Sequence, residues 1–269
     1  MMTNPDSFDR RRVLAAASVV LAAGPSRAAG GRADAPQPNP GHAGPVPTHS
    51  SRMFALCTFG DSILDCARYN EHGVHPGQLI VRNEDALFPE FRGRDLQARG
   101  PARLEHRAVD GATVADLPRQ AHGMSTPQGP ATALVTVGGN DLLRGLAADR
   151  GPGLRAFEAA LGRFLAALPV RPVLLGTVYD PTFGDDARNF LGVDARVARA
   201  NFRRVNDAIG ALAARHGQLV DLHAHFLTGD PSWFTRTIEP SLRGASEVRR
   251  AFLAHIRLPP DTSPAAPRR

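Results

Sequence analysis

Residues 53–65 read MFALCTFGDSILD, and the fold turns on how this stretch is read. MFALCTF is a continuous apolar run with no polar alternation. That is the pattern of a strand covered on both faces, as in a parallel sheet flanked by helices. Gly60, Asp61 and Ser62 end the run. They are followed by Ile63 and Leu64, so a strand is expected to hand over to a helix with a hydroxyl at the junction.

Working outward, similar runs recur at 104–109, 133–137, 173–179 and 219–221. Between them the apolar spacing changes to three and four. Leu154, Phe157, Leu161, Phe164, Leu165 and Leu168 mark one helix, and Phe202, Val205, Ile209 and Leu212 mark another that stops at His216 and Gly217. Ser246 is expected to cap a last helix carrying Val248, Phe252 and Ile256. Alternating strands and helices over some 200 residues predict a three-layer α/β fold with a mostly parallel, five-stranded sheet.

The chain has 269 residues and is 42% hydrophobic, enough for one sizeable core. Its Gly and Pro are aperiodic and no block repeats, which excludes collagen and solenoid architectures. The net charge of +6 invites a nucleic-acid reading, but all 32 basic residues are Arg, interspersed with 26 acidic ones. No basic stripe or RNA-binding aromatic signature accompanies them, and no nucleic-acid partner is expected.

Residues 1–28 are similar to a twin-arginine signal peptide. Arg10 and Arg11 precede an 11-residue apolar segment, Val13 to Ala23, and Ser26 and Ala28 supply the small residues of a cleavage site after Ala28. That segment is too short to span a bilayer. The expected outcome is export through the twin-arginine machinery to the periplasm or the medium. Residues 29–51 have a linker composition, and 258–269, with Pro259, Pro260 and Pro264, a tail composition, leaving 52–257 as the folded domain. An oxidising compartment permits a disulfide, but the extended strand between Cys57 and Cys66 separates them too far, so two buried free thiols are expected.

In α/β folds function sits at the carboxyl ends of strands. There the chain has Gly60-Asp61-Ser62 after the first strand, Asp110-Gly111-Ala112-Thr113 after the second and Gly138-Gly139-Asn140-Asp141 after the third. A serine at a helix start has its own N–H placed for an oxyanion, a glycine lets a backbone N–H approach substrate, and an asparagine amide donates without charge. Taken singly, Ser62, Asn140 and Asp141 also read as helix caps.

Taken together, these blocks over residues 52 to 256 resemble the SGNH, or GDSL, hydrolase family. The resemblance implies a flavodoxin-like α/β fold, metal-free and cofactor-free hydrolysis of carboxylic esters, Ser62 as nucleophile, and an oxyanion hole from the N–H groups of Ser62 and Gly111 and the side chain of Asn140. The fourth block departs. The family expects Asp, two residues, then His before a proline, whereas this chain has Arg236 at the Asp position and Glu239 at the His position, before Pro240.

Three readings of the base follow. Glu239 can serve Ser62 directly if burial raises its pKa, although pairing with Arg236 would oppose that. Alternatively His223 or His225, after the last strand, reaches Ser62 while Glu239 orients the imidazole. His223, His225 and Asp221 also resemble a metal-binding HxH, but no second ligand cluster stands out and no metal is expected. Asp180, Asp185 and Asp186 read as a solvated rim or as contacts for a polar substrate, and Trp233 and Phe234 as packing residues or a pocket wall. The expected function is an exported serine esterase acting on a small or carbohydrate-linked acyl ester. The alternative is a ligand-binding protein of the same fold that has lost its base.

Overall fold

The computed structural model describes residues 53–258. The sheet strands are β1 Phe54–Gly60, β2 Ala102–His106, β3 Ala131–Thr136, β4 Val173–Gly176 and β5 Gln218–Val220. The helices are α1 Pro76–Val81, α2 Leu117–Gln120, α3 Gly139–Leu143, α4 Pro152–Ala167, α5 Ala195–His216, α6 Leu222–Leu227 and α7 Leu242–Leu253, and a small hairpin joins β6 Phe234–Thr235 to β7 Glu239–Pro240. The expected signal peptide and linker, and the expected tail from residue 259 on, lie outside the described residues.

All five sheet strands are parallel, in the order β2-β1-β3-β4-β5. Residues along β1 alternate between two cores because successive side chains point to opposite faces. Ala55, Cys57 and Phe59 pack with Phe157 and Leu161 of α4 and Val205 and Ile209 of α5. Phe54 and Leu56 pack on the other face with Ile80 of α1, Phe226 of α6 and Val248 and Phe252 of α7. This is the expected three-layer arrangement, and it buries every residue of β1. Cys57 and Cys66 are both free and buried.

The chain goes from β1 to β2 in one direction and from β3 onward in the other. The ends of β1 and β3 therefore flank a crevice at the point where the order reverses, the place where such sheets bind ligands. Gly60 makes the approach possible. It sits at φ +120°, and a Cβ there would run into the Thr136 carbonyl oxygen of β3. The buried Gln120 side chain completes its backbone pairing, accepting from Gly60 N at 2.7 Å and donating to Gly60 O at 2.8 Å.

Two local expectations fail. No helix follows Ser62. The chain makes a single turn, with Leu64 N and Asp65 N both donating to Asp61 O at 3.1 and 3.0 Å, before a short 3-10 segment at Ala67–Tyr69. A helix dipole therefore does not act on Ser62. The last helix begins one turn earlier than expected: Ser241 is its cap, accepting from Gly244 N at 3.1 Å, and Ser246 is buried inside it.

Candidate active site

The turn after β1 is built on Asp61. Its buried carboxyl accepts from Thr136 Oγ1 at 2.9 Å and from Ile63 N at 3.2 Å, which fixes the backbone on either side of Ser62. Burial pushes the Asp61 pKa up to about 7 against the pull of these two hydrogen bonds. Ser62 itself is 8% exposed and lines a cavity of about 100 Å³.

The segment after β2 runs alongside that turn. Arg107 N and Val109 N still donate to Thr58 O and Gly60 O of β1, and Asp110 N donates to Asp65 Oδ2 at 2.9 Å. Gly111 sits at φ +79°, a left-handed position that suits glycine, with its carbonyl held by Arg144 Nη2 at 2.9 Å. After β3, Asn140 donates from Nδ2 to Ala112 O at 3.0 Å, so one amide hydrogen ties the second and third blocks together and one remains. Asp141 accepts from Val114 N at 3.2 Å, and its burial raises its pKa to about 6. Thus Ser62, Gly111 and Asn140 follow three different strands and come together at one sheet edge.

The fourth block is the β6–β7 hairpin. Thr235 pairs with Glu239, and the intervening loop places Arg236 at φ +46° and Thr237 at φ +78°. Such values are costly for residues with a Cβ, and a β-branched threonine there is a backbone outlier. The loop turns Glu239 back toward the nucleophile. Burial raises the Glu239 pKa to about 7; the neighbouring Ser62 hydroxyl pulls the other way, Asp110 raises it further, and Arg68 and Tyr69 lower it. Its Oε2 is buried without a hydrogen-bond partner. Arg236 is turned over the Tyr69 ring, 5.3 Å from the centroid.

The two histidines are placed elsewhere. His225 Nε2 lies 3.0 Å from Glu247 Oε2 of α7, and its ring leans on Trp233. His223 packs edge-on against Phe202 at 5.0 Å between ring centres, and burial holds its pKa below the usual histidine range. Neither lines the cavity that holds Ser62. Among the described residues no group of three His, Cys, Asp or Glu side chains is arranged to hold a metal ion. Trp233 and Phe234 pack in the second core and do not line the cavity. Asp180, expected on a solvated rim, is instead buried against the cavity. It accepts from Thr182 and pairs with Arg199 Nη1 at 3.0 Å.

Asp186 and Asn189 add further polar groups to the wall, and its apolar part is Leu142, Leu143, Val178, Phe190, Leu191 and Phe202. Sequence reasoning named Asp110 only as part of the second block, with no role, and missed Tyr69. Tyr69 Oη donates to Asp110 Oδ2 at 2.6 Å, and Arg68 Nη1 pairs with the same oxygen at 3.0 Å. No spacing rule links an aromatic seven residues after Ser62 to an acid 41 residues further on.

Residues 58–245 match the family described as GDSL-like Lipase/Acylhydrolase. No curated protein matches the chain. Among solved structures, the chain is similar to LAE5, an alpha/beta hydrolase enzyme from the metagenome of Lake Arreo, Spain, with 26% identity, 74% of this chain and 93% of that one covered, and a TM-score of 0.53. Axe2, an acetylxylan esterase from Geobacillus stearothermophilus, is 22% identical over 74% and 92% of the two chains with a TM-score of 0.52. A lipase/acylhydrolase from Enterococcus faecalis is 17% identical over 76% and 95% with a TM-score of 0.55. These last two likenesses are of fold.

Proposed function

The chain belongs to the GDSL-like lipase/acylhydrolase family, whose members hydrolyse ester bonds, and from that premise we propose an exported serine esterase in which Glu239, not a histidine, is the base for Ser62. The observation that carries the proposal is a buried carboxyl beside Ser62 whose Oε2 has no hydrogen-bond partner and whose pKa burial raises to about 7. An ordinary glutamate, near 4.5, is a weak base; at about 7 it is roughly 300-fold stronger and still half ionised at neutral pH.

In the reaction Ser62 Oγ attacks the ester carbonyl carbon and its proton passes to Glu239. The tetrahedral oxyanion is met by the N–H groups of Ser62 and Gly111 and the remaining amide hydrogen of Asn140. Collapse breaks the bond to the alcohol, which leaves with the proton from Glu239. Water then repeats the sequence on the acyl-enzyme, with Glu239 again taking and returning a proton.

The cavity beside Ser62 suits an acyl chain of about four to eight carbons, since an acetyl group would leave most of its apolar wall facing water. That separates the proposal from the acetylated xylan named for Axe2. The test is hydrolysis of p-nitrophenyl esters from acetate to octanoate. The expected result is a rate that peaks beyond acetate, rises with pH through about 7, and vanishes in Ser62→Ala and Glu239→Gln. Equal rates in the parent and Ser62→Ala would remove the nucleophile and favour the binding-protein alternative. Export rests on Arg10 and Arg11; replacing both by Lys is expected to retain the full chain, uncleaved after Ala28, in the cytoplasm of a bacterial host, and undiminished secretion would refute that route.

A further inference from the structure

A histidine base turns cationic when it takes the serine proton, and the aspartate of the usual triad is placed to stabilise that cation. A glutamate base starts anionic and turns neutral. A carboxylate bonded to it would repel the starting state and find no cation to stabilise afterwards. The group that suits a glutamate is a neutral hydroxyl able to donate to the carboxylate before transfer and to accept from the carboxylic acid after it.

The site supplies such a hydroxyl. Tyr69 Oη donates to Asp110 Oδ2 at 2.6 Å, and the same hydroxyl stands beside the Glu239 carboxyl, favouring its ionised form, while Glu239 Oε2 is buried with no hydrogen-bond partner. Asp110 is held by Arg68 at 3.0 Å and by its own N–H on Asp65. The faces of the Tyr69 ring meet two guanidinium groups, Arg68 at 5.2 Å and Arg236 at 5.3 Å. Arg236 stands where the family has its aspartate, and here it packs on the tyrosine. The chain has only two tyrosines. The other, Tyr179, donates to Ile238 O at 2.7 Å, one residue before Glu239, so both grip the altered block.

We propose that Tyr69 is the positioning residue of the base: its hydroxyl, held by Asp110 beside the unpartnered Oε2 of Glu239, turns to that oxygen to keep Glu239 on Ser62 and reorients as the proton crosses. This rests on the reading of Glu239 as the base. When Glu239 is ionised the hydroxyl donates to it; when Glu239 has taken the Ser62 proton the hydroxyl donates to Asp110 and accepts from the acid. No proton leaves the site until the alcohol takes it. The other titratable and charged groups facing Glu239 are Arg68, Asp61, Cys66 and Tyr179.

The test uses the rate at which a fluorophosphonate labels Ser62 across pH 5 to 9. In that reaction the Ser62 Oγ–P bond forms, P–F breaks, fluoride leaves and the proton goes to Glu239, so no natural substrate is needed. Ser62→Ala is the blank. Tyr69→Phe is expected to lower labelling at neutral pH about tenfold and to move the inflection upward, because the carboxylate loses a donor. Asp110→Asn is expected to move it downward, because a neighbouring anion is gone and the hydroxyl is free to donate to Glu239. A merely structural role would slow labelling without opposed displacements. Wild-type inflections in both variants, with Glu239→Gln inert, would overturn the role of Tyr69 and leave Glu239 as the base. Labelling of Glu239→Gln at the parent rate would overturn both.

Discussion

With a histidine base, the tetrahedral intermediate contains an oxyanion beside an imidazolium, and the two charges offset one another. With Glu239 as the proposed base, the base is neutral at that moment and the oxyanion is left to its hydrogen bonds alone. The donors at Ser62, Gly111 and Asn140 therefore carry more of the stabilisation. Asn140 is already fixed by Ala112 O at 3.0 Å, so its free hydrogen is preorganised. Asn140→Ala is expected to lower kcat at least about a hundredfold while KM changes little. Steady-state kinetics on the best ester check this, and a loss confined to KM would assign Asn140 to ground-state binding. Ser62, Gly111 and Asn140 were legible in the sequence because each follows a recognisable strand and has a residue type suited to an oxyanion. Glu239 was legible by position, but its basicity was not, since that comes from burial. His223 and His225 start at the right sheet edge, yet Phe202 and Glu247 take their rings. Tyr69 had no signal at all, because its role depends on a distance across the fold.

At the scale of elements, the device that matters is the β6–β7 hairpin. Two-residue pairing alone is too short to be stable, so its conformation is imposed from outside. Ser241 N and Oγ donate to the carbonyls of Trp233 and Ser232, and Tyr179 Oη holds Ile238 O. Gly244 completes the clamp: a Cβ there would meet the Trp233 carbonyl, so α7 can start only this close to the hairpin with glycine. These contacts offset the left-handed conformations at Arg236 and Thr237, which cost on the order of 1–3 kcal/mol each. Backbone strain beside the base is consistent with a hairpin shaped for presenting Glu239. The central strands β1, β3 and β4 were readable because an apolar run covered on both faces looks the same in any context, whereas the edge strands β2 and β5 are only partly buried. Strand ends were less readable: β2 stops at His106 while its chain continues to bond to β1 from one side as far as Val109. The turn after β1 was misread as a helix because Ile63 and Leu64 fit either state, and the choice was made by Asp61 binding Thr136 on the neighbouring strand.

For the whole molecule, the site gathers three carboxyls that burial makes reluctant to ionise: Asp61 and Glu239 near 7 and Asp141 near 6. In the unfolded chain all three ionise near 4. Their contribution to stability is complete below that value and is lost as pH rises through the folded values, so the folded state weakens between about pH 4 and 7. Asp65, Asp180 and Glu247 have lowered values and act in the opposite sense, adding stability that is present above about pH 4 and lost below it. The raised carboxyls favour the folded state on the acid side of the pH at which Glu239 is an effective base, opposed by His75, which burial lowers to about 4 and which adds stability as pH rises to about 6.5. Activity and the stability that the raised carboxyls contribute therefore run in opposite directions across this range. Glu239 alone costs the folded state about 3 kcal/mol at pH 8, taking about 1.4 kcal/mol for each tenfold change in acid constant. Glu239→Gln removes that cost, because a neutral amide of nearly the same shape has no ionisation to forgo. The expected outcome is a parent Tm that falls between pH 5 and pH 8, and a Glu239→Gln Tm that matches it at pH 5 and exceeds it by roughly 5–10 °C at pH 8. Calorimetry at both pH values measures the difference. If the variant gains nothing at pH 8, the carboxyl is ionised and solvated in the folded protein, and the raised basicity on which the proposed chemistry depends is absent.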